Sequence, residues 1–299
     1  MMLKKLSLYA VAIVGAITIL SSCEKEYEPI ESIDDAKLTQ YITSKNLQVT
    51  KDPSGFYYEI VNPGVGEKTY DRLDSVLYNF EIKSLDGKSY YNTTMDAANI
   101  ATVVGFSDKI ILSKSIPGIR TSIMALKPGG TANVLVPSYL AFGKNGETKL
   151  NVPSNESLLI EVKTLPETSQ AVRDENLIKA FVQRNNLNAT RDGSGVYYVI
   201  EKAGNGQEIN AASTLYPFYT GRVLDGAEFQ TSKDTSATLA FRGTIPGWQR
   251  VLPNIKEGGK MRMIIPSGLA YGSAGTGNST VIKMNSILDF DVEIWKVKN

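Results

Sequence analysis

The sequence predicts an α+β protein in which one module is written twice, each module an antiparallel sheet with a single short helix packed against it. Three observations predict it. A set of short motifs recurs once, in the same order and at nearly the same spacing. Segments with apolar residues at every second position dominate the clearest stretches, as half-buried strands require. One internal segment instead repeats its apolar residues at helical spacing.

The repeat sets the architecture. Ser54-Gly55-Phe56-Tyr57-Tyr58-Glu59-Ile60 returns as Ser194-Gly195-Val196-Tyr197-Tyr198-Val199-Ile200, and Leu85-Asp86-Gly87 as Leu224-Asp225-Gly226. Ser115-Ile116-Pro117-Gly118 returns as Thr244-Ile245-Pro246-Gly247. Val136-Pro137-Ser138 and Ala141-Phe142-Gly143 return as Ile265-Pro266-Ser267 and Ala270-Tyr271-Gly272. The first copy carries extra residues between Asn92 and Ser115. So long a period means two domains, not a solenoid, with the boundary near Thr164 to Gln170, where Pro166 stands in a polar stretch. Each copy opens on a helical pattern, Leu38-Tyr41-Ile42 and Leu177-Ala180-Phe181. In the second copy Met261, Met263 and Ile265 alternate with Lys260, Arg262 and Ile264. Leu288, Phe290, Val292 and Ile294 alternate with Asp289, Asp291 and Glu293. Between strands, Trp248, Val251, Leu252 and Ile255 line one helical face, punctuated by Pro246 before and Gly258-Gly259 after.

Composition excludes several chemistries. There is no histidine, which removes the commonest general base, the usual zinc ligand and any Ser-His or Cys-His pair. The net charge of +1 leaves no electrostatic footprint for nucleic acid. The only cysteine, Cys23, allows no intramolecular disulfide. Its setting suggests another role. Lys4 and Lys5 precede an apolar run from Leu6 to Leu20, short for a membrane span, and Leu20-Ser21-Ser22-Cys23 follows. This resembles the bacterial lipobox, with residues 1–22 as a signal peptide and Cys23 as the lipidated N-terminus. The alternative is an uncleaved anchor that happens to contain a cysteine. Glu24-Lys25-Glu26-Tyr27-Glu28-Pro29 then begins an acidic tether over residues 23–33, read either as a solvated linker or as a surface-export signal.

Tyr219-Thr220-Gly221, Leu224-Asp225-Gly226, Phe229, Ile245-Pro246-Gly247-Trp248, Ile265-Pro266-Ser267, Leu269-Ala270-Tyr271-Gly272 and the closing strand around Phe290 occur in one particular order. In that order they resemble the FKBP-type peptidyl-prolyl cis-trans isomerases. The resemblance covers about residues 195–299 and, through the repeat, most of the rest. It implies two FKBP-like domains, residues 34–166 and 167–299, each a twisted antiparallel sheet wrapped around a short helix and each preceded by an N-terminal helix. It implies pocket walls from Tyr219, Phe229, Tyr271 and Phe290, a floor from Trp248 and a backbone N–H donor at Ile245. Gln230, Thr244, Leu239 and Ile282 are expected to touch substrate. No metal or other cofactor is implied. The partners implied are proline-containing exported polypeptides, and the membrane through Cys23, which places the protein at a bacterial cell envelope.

That chemistry suits a chain without histidine. Rotation about an X-Pro bond meets a barrier of about 18–20 kcal/mol set by amide resonance, and breaks no covalent bond. The twisted amide carries less charge separation than the planar one, so an apolar, water-poor aromatic pocket favours the transition state. The sequence also departs from the family. Gln230 stands where an aspartate is usual, Ala237 where an aromatic wall residue is common, and Lys283-Met284 where a Pro-Pro pair is usual. The stretch from Gly272 to Thr280, rich in glycine and serine, is expected to form a flap near the pocket. In the first copy Phe80 stands for Tyr219, Ile82 for Gly221, Tyr90 for Phe229, Ile119 for Trp248, Phe142 for Tyr271 and Ile160 for Phe290. Activity is therefore expected mainly in the second domain. Two other readings stay open: a non-catalytic peptide-binding or chaperone lipoprotein built on the same fold, and a carbohydrate-binding surface lipoprotein.

Overall fold

The computed structural model describes residues 28–95, 97–108, 115–276 and 281–299. The apolar leader, Cys23 and the end of the Gly/Ser-rich stretch, residues 277–280, lie outside the described residues. Two long helices, α1 (Ile30–Lys45) and α3 (Gln170–Arg184), open the two halves. Just past each helix stands an asparagine in the left-handed region, Asn46 at φ 52° and Asn186 at φ 51°. Short polar side chains tolerate that conformation because they bond locally. Ser169 starts α3 by accepting a hydrogen bond from the Val172 N–H at 3.3 Å. Residues 30–33, expected in the tether, are already helical.

Each half then folds into a seven-stranded antiparallel sheet. The first comprises β1 (Thr50–Lys51), β2 (Tyr57–Asn62), β3 (Ser75–Ser84), β4 (Ser89–Asn92), β5 (Ile100–Val103), β6 (Thr131–Val136) and β7 (Leu158–Thr164). The second comprises β8 (Thr190–Arg191), β9 (Tyr197–Lys202), β10 (Thr214–Val223), β11 (Glu228–Ser232), β12 (Leu239–Ala240), β13 (Gly259–Ile265) and β14 (Leu288–Lys298). The strand orders are the same: β1-β2-β6-β7-β3-β4 with β5 on β3, and β8-β9-β13-β14-β10-β11 with β12 on β10. Pro217 sits inside the central strand β10 without breaking it. The register shifts there, Tyr216 facing Lys296 and Pro217 facing Ile294, and such a bulge absorbs a residue that cannot donate to the ladder.

A short helix covers one face of each sheet, α2 (Ile119–Met124) in the first and α4 (Pro246–Val251) in the second. Trp248, Val251, Leu252 and Ile255 are all buried, as their spacing predicts. The α-helix ends at Val251, however, and Leu252–Asn254 tighten into a 3₁₀ turn containing Pro253. Pro246 is the first residue of the helix and does not stand before it.

The long helices cover the opposite faces. Ile178 and Phe181 pack against Tyr197, Ile264 and Ile287, and Leu38 packs against Tyr57, Leu135 and Leu159. Leu177, expected on the buried stripe of α3, is 39% exposed, and Ile178 beside it faces the sheet instead. This second covering also explains two exceptions to strict alternation. Ile264 is buried under α3, and Asp289 is buried beside Arg262, whose Nε and Nη2 reach its two carboxylate oxygens at 2.9 and 2.7 Å. The guanidinium of Arg262 lies 5.5 Å from the centre of the Phe181 ring.

Candidate active site

The site grows out of three strands and one helix of the second half. In β10, Gly221 faces Phe290 of β14 across the ladder and Gln230 of β11 on its other side. The β10–β11 register slips between Gly221 and Arg222, because Gly221 pairs with Gln230 and Arg222 with Glu228. Phe229 is the extra residue of that bulge, which turns its side chain toward the concave face. Gly221 makes room for it: a Cβ there would lie 2.6 Å from Phe229 and 2.7 Å from Phe290. Helix α4 lies directly on β13, since a Cβ on Gly247 would collide with Ile265.

These constraints assemble an aromatic cluster. The Trp248 ring centre lies 5.3 Å from that of Phe290 and 5.5 Å from that of Tyr219, each pair at 88°. Phe229 meets Phe290 edge-on at 5.6 Å and 82°. Edge-to-face pairs of this kind are favoured by the ring quadrupole. Above the cluster opens a cavity of about 350 Å³, lined by Tyr219, Phe229, Gln230, Thr238, Leu239, Ala240, Gly243, Thr244, Ile245, Trp248, Tyr271 and Phe290. Its size falls at the lower end of small-ligand sites.

Among the described residues no side chain lining the cavity carries a formal charge. Burial, and after it the neighbouring Tyr271, pushes the Tyr219 hydroxyl above the usual tyrosine range, so it stays protonated and can donate. The Ile245 N–H stands at the start of α4 and has no hydrogen-bond partner among the described residues. Trp248 is 3% exposed, and its indole N–H has no acceptor among the described residues, an unpaired donor in the residue that floors the cavity. Tyr271, at 39% exposure, stands at the mouth.

Nine of the ten residues singled out from the sequence therefore come together around this cavity. Ile282 does not. It is buried in the domain core and absent from the lining. Ala237, which stands where an aromatic wall residue is common in the family, is also outside the lining, and the residues that follow it, Thr238, Leu239 and Ala240, line the cavity. Gln249, which no motif pointed to, donates from Nε2 to the carbonyls of Thr244 at 2.6 Å and Arg242 at 3.2 Å, steadying the turn that presents the Ile245 N–H.

The first half treats the same positions differently. Tyr90 is again the bulged residue, since Ile82 pairs with Tyr91 and Lys83 with Ser89. But the residue facing Ile160 is Ile82, not glycine. Ile82, Ile116, Ile119 and Ile160 have no exposed surface, and Phe80 and Phe142 have 3% and 7%. Where the second half keeps an open mouth, the first half has buried side chains at the matching described positions.

A family model described as FKBP-type peptidyl-prolyl cis-trans isomerase matches residues 66–165 and 205–295, more than half of the chain. The chain is 43% identical over 107 residues to the FKBP-type peptidyl-prolyl cis-trans isomerase FkpA of Escherichia coli (strain K12), a match covering 35% of this chain and 38% of that protein. It is 37% identical over 138 residues to FkpA of Buchnera aphidicola subsp. Schizaphis graminum, covering 44% and 52%. The matches thus span about half or less of these relatives' own length. Among solved structures, FkpA from Escherichia coli matches at 34% identity and a TM-score of 0.38, over 43% of this chain and 61% of that one. The three FKBP domains of a wheat protein match at 19% identity and a TM-score of 0.33, over 84% and 99%. With its paired antiparallel sheets, each folded on a short helix, the chain belongs to the FKBP-type peptidyl-prolyl cis-trans isomerase family.

Proposed function

We propose that this protein is a peptidyl-prolyl cis-trans isomerase of exported polypeptides, with the activity carried mainly by residues 167–299 and with residues 34–166 as a degenerate copy. The observation that carries the proposal is the uncharged aromatic cavity of about 350 Å³ between α4 and the second sheet. A proline ring is apolar and has no N–H to leave unsatisfied, so it enters such a cavity without an unpaired donor. The Trp248 indole supports the ring, and Tyr219, Phe229 and Phe290 wall it. The Ile245 N–H donates to a substrate carbonyl, and Tyr271 closes the mouth over the rotating bond. The planar amide is the more dipolar state, so removing water and charge from its surroundings raises it relative to the twisted transition state. No proton moves and no bond breaks. A site without histidine, metal or nucleophile therefore suffices.

At the N-terminus, Leu20-Ser21-Ser22-Cys23 supports lipid anchoring at a cell envelope. Among the described residues no helix is long and apolar enough to cross a membrane.

The test uses the mature chain in a cis-trans isomerisation assay on Xaa-Pro peptides, beside variants Phe229→Ala and Tyr271→Ala. Catalysis by the parent, weakened about tenfold or more by either change, is the expected result. Prolyl-peptide binding without acceleration would replace this reading with that of a peptide-binding module.

A further inference from the structure

The segment between Asn92 and Ser115, longer in the first copy than its counterpart in the second, does not stay within its own half. Ala97 forms a parallel bridge with Met284, and the Ala98 N–H donates to the Met284 carbonyl at 2.9 Å. The Lys283 ammonium donates to the Thr94 carbonyl. Lys283 and Met284 are the pair that stands where the family usually has two prolines. An element of the first half is thus docked on the loop that runs from Tyr271 back to β14.

At the centre of this contact is Asn99, 1% exposed. Its backbone carbonyl accepts from Asn285 Nδ2 at 2.9 Å. Asn285 holds a left-handed backbone at φ 59°, and its own N–H donates to the Gly272 carbonyl at 2.8 Å, one residue past Tyr271. The side-chain amide of Asn99 works in the other direction. Its Nδ2 donates to Gln170 Oε1 at 2.8 Å, and Gln170 Nε2 donates to Asp174 Oδ1 at 2.7 Å. Asp174 Oδ2 in turn accepts from both the N–H and the hydroxyl of Ser267, each at 2.7 Å, at the start of the turn that leads into Tyr271. Both sides of the Tyr271 turn are therefore tied, through two separate routes, to one residue of the other half.

The first copy shows what the second lacks. Asp34 is buried in the same place and accepts from Ser138 Oγ at 2.7 Å, as Asp174 does from Ser267. Its other oxygen is satisfied internally by Ser157 Oγ at 3.3 Å. In the second copy the residue corresponding to Ser157 is Ile287, which has no hydroxyl, and Gln170 supplies the missing donor. Asn155 repeats the left-handed turn, with φ 56° and an N–H bonded to the Gly143 carbonyl at 2.9 Å. The first copy completes this network alone. In the second copy it extends into the first.

We infer that Asn99 is a positioning residue for the second domain's cavity, holding the turn that carries Tyr271 through Asn285 on one side and Gln170, Asp174 and Ser267 on the other. The inference rests on the reading of that cavity as the prolyl site, and concerns how its mouth is kept in place. Breaking a link of this network leaves a further buried polar group unpaired, beside Asn99 Oδ1, which has no partner among the described residues.

The experiment uses the full mature chain with Asn99→Ala, Gln170→Ala and Asn285→Gly, the last keeping the left-handed turn and removing only the amide. Backbone hydrogen exchange is followed by mass spectrometry, and kcat and KM are measured separately. Exchange should quicken in residues 267–276 with Asn99→Ala and Gln170→Ala, which break the side-chain route, and in residues 281–287 with Asn285→Gly, which breaks the bond to the Asn99 carbonyl, and stay unchanged in β2 and β6. KM should rise about fivefold with little change in kcat, as expected for a modest coupling free energy. If Asn99→Ala does not fold, Asn285→Gly decides alone. Unchanged exchange across both stretches in folded variants overturns the inference, as does faster exchange throughout the chain. A parent chain with no isomerase activity sinks the functional reading and leaves the exchange result to decide this one.

Discussion

Gly221→Ala puts the most weight on the least substituent. Carbon atoms in contact rest about 3.5–4.0 Å apart. A Cβ at position 221 would sit 2.6 Å from Phe229 Cζ and 2.7 Å from Phe290 Cε1. One or both rings must retreat by about 1 Å. Phe290 is 4% exposed and held edge-on by Trp248 and Phe229, so it has nowhere to go without disturbing the floor. Phe229 is only half-buried and swings into the cavity instead. Overpacking of this order costs about 1–3 kcal/mol. If about 1.4 kcal/mol of that is felt only with substrate bound, kcat/KM falls tenfold. The assay is proline-limited isomerisation of an Xaa-Pro peptide, with thermal melting measured in parallel. A variant that keeps parental kcat/KM and an unshifted Tm would refute the claim that the bare glycine opens the pocket.

The reverse change, Ile82→Gly, should cost at least the 2–5 kcal/mol of an isoleucine truncated in a packed core, read as a lower urea midpoint, without creating activity in a chain that also carries Tyr271→Ala and Phe229→Ala. Isomerase activity should be nearly flat from pH 6 to 8: the chain has no histidine to titrate there and the Tyr219 hydroxyl is held above its usual range, so a bell-shaped kcat/KM profile in a folded protein would argue against the mechanism. Burial raises the Asp174 carboxyl, so its folded-state pKa exceeds the unfolded value of about 3.9. The folded state then binds the proton more tightly, and the group's contribution, full below that value, is lost as pH rises through the folded pKa. The Tm of Asp174→Asn minus that of the parent should therefore climb from pH 4 upward, and a difference that does not move with pH would count against it. Mass spectrometry of membrane-extracted protein should find diacylglycerol on Cys23, and an intact Met1 with a free thiol would end that reading.

The sequence made the site legible because its walls are marked by residue types that rarely stand together. Gly221, Phe229, Ile245, Trp248, Tyr271 and Phe290 are far apart in the chain, yet their order and spacing bring them around one cavity. Periodicity was less informative wherever two faces are buried. Helix α3 offers apolar residues at both 177 and 178, and only the sheet beneath decides that Ile178 turns inward. Ile264 and Asp289 read as solvent-facing by alternation, and become buried because a helix lies over the second face. Ile282 follows a stretch of glycine and serine with no period to fix its direction, and it enters the core. The Asn285–Asn99 bond joins residues 186 apart, a link no local pattern encodes.

The two copies diverge by one rule applied at two places. Where the first copy can close a feature within itself, it does: Ile82 fills the space that glycine leaves open, and Ser157 satisfies the buried aspartate. The second copy leaves both open. Gly221 admits two rings and a cavity, and Ile287 leaves Asp174 in need of an outside donor. A cavity open to water forgoes packing that the first copy retains, and such a surface holds its shape only if something else restrains its rim. The first copy is placed to supply that restraint, since its extra segment carries Asn99 to the loop behind Tyr271. Its filled core and its docked segment then belong together: side chains packed at the positions that stay open in the second copy make the first copy rigid there, and rigidity is what a strut for its neighbour's mouth requires.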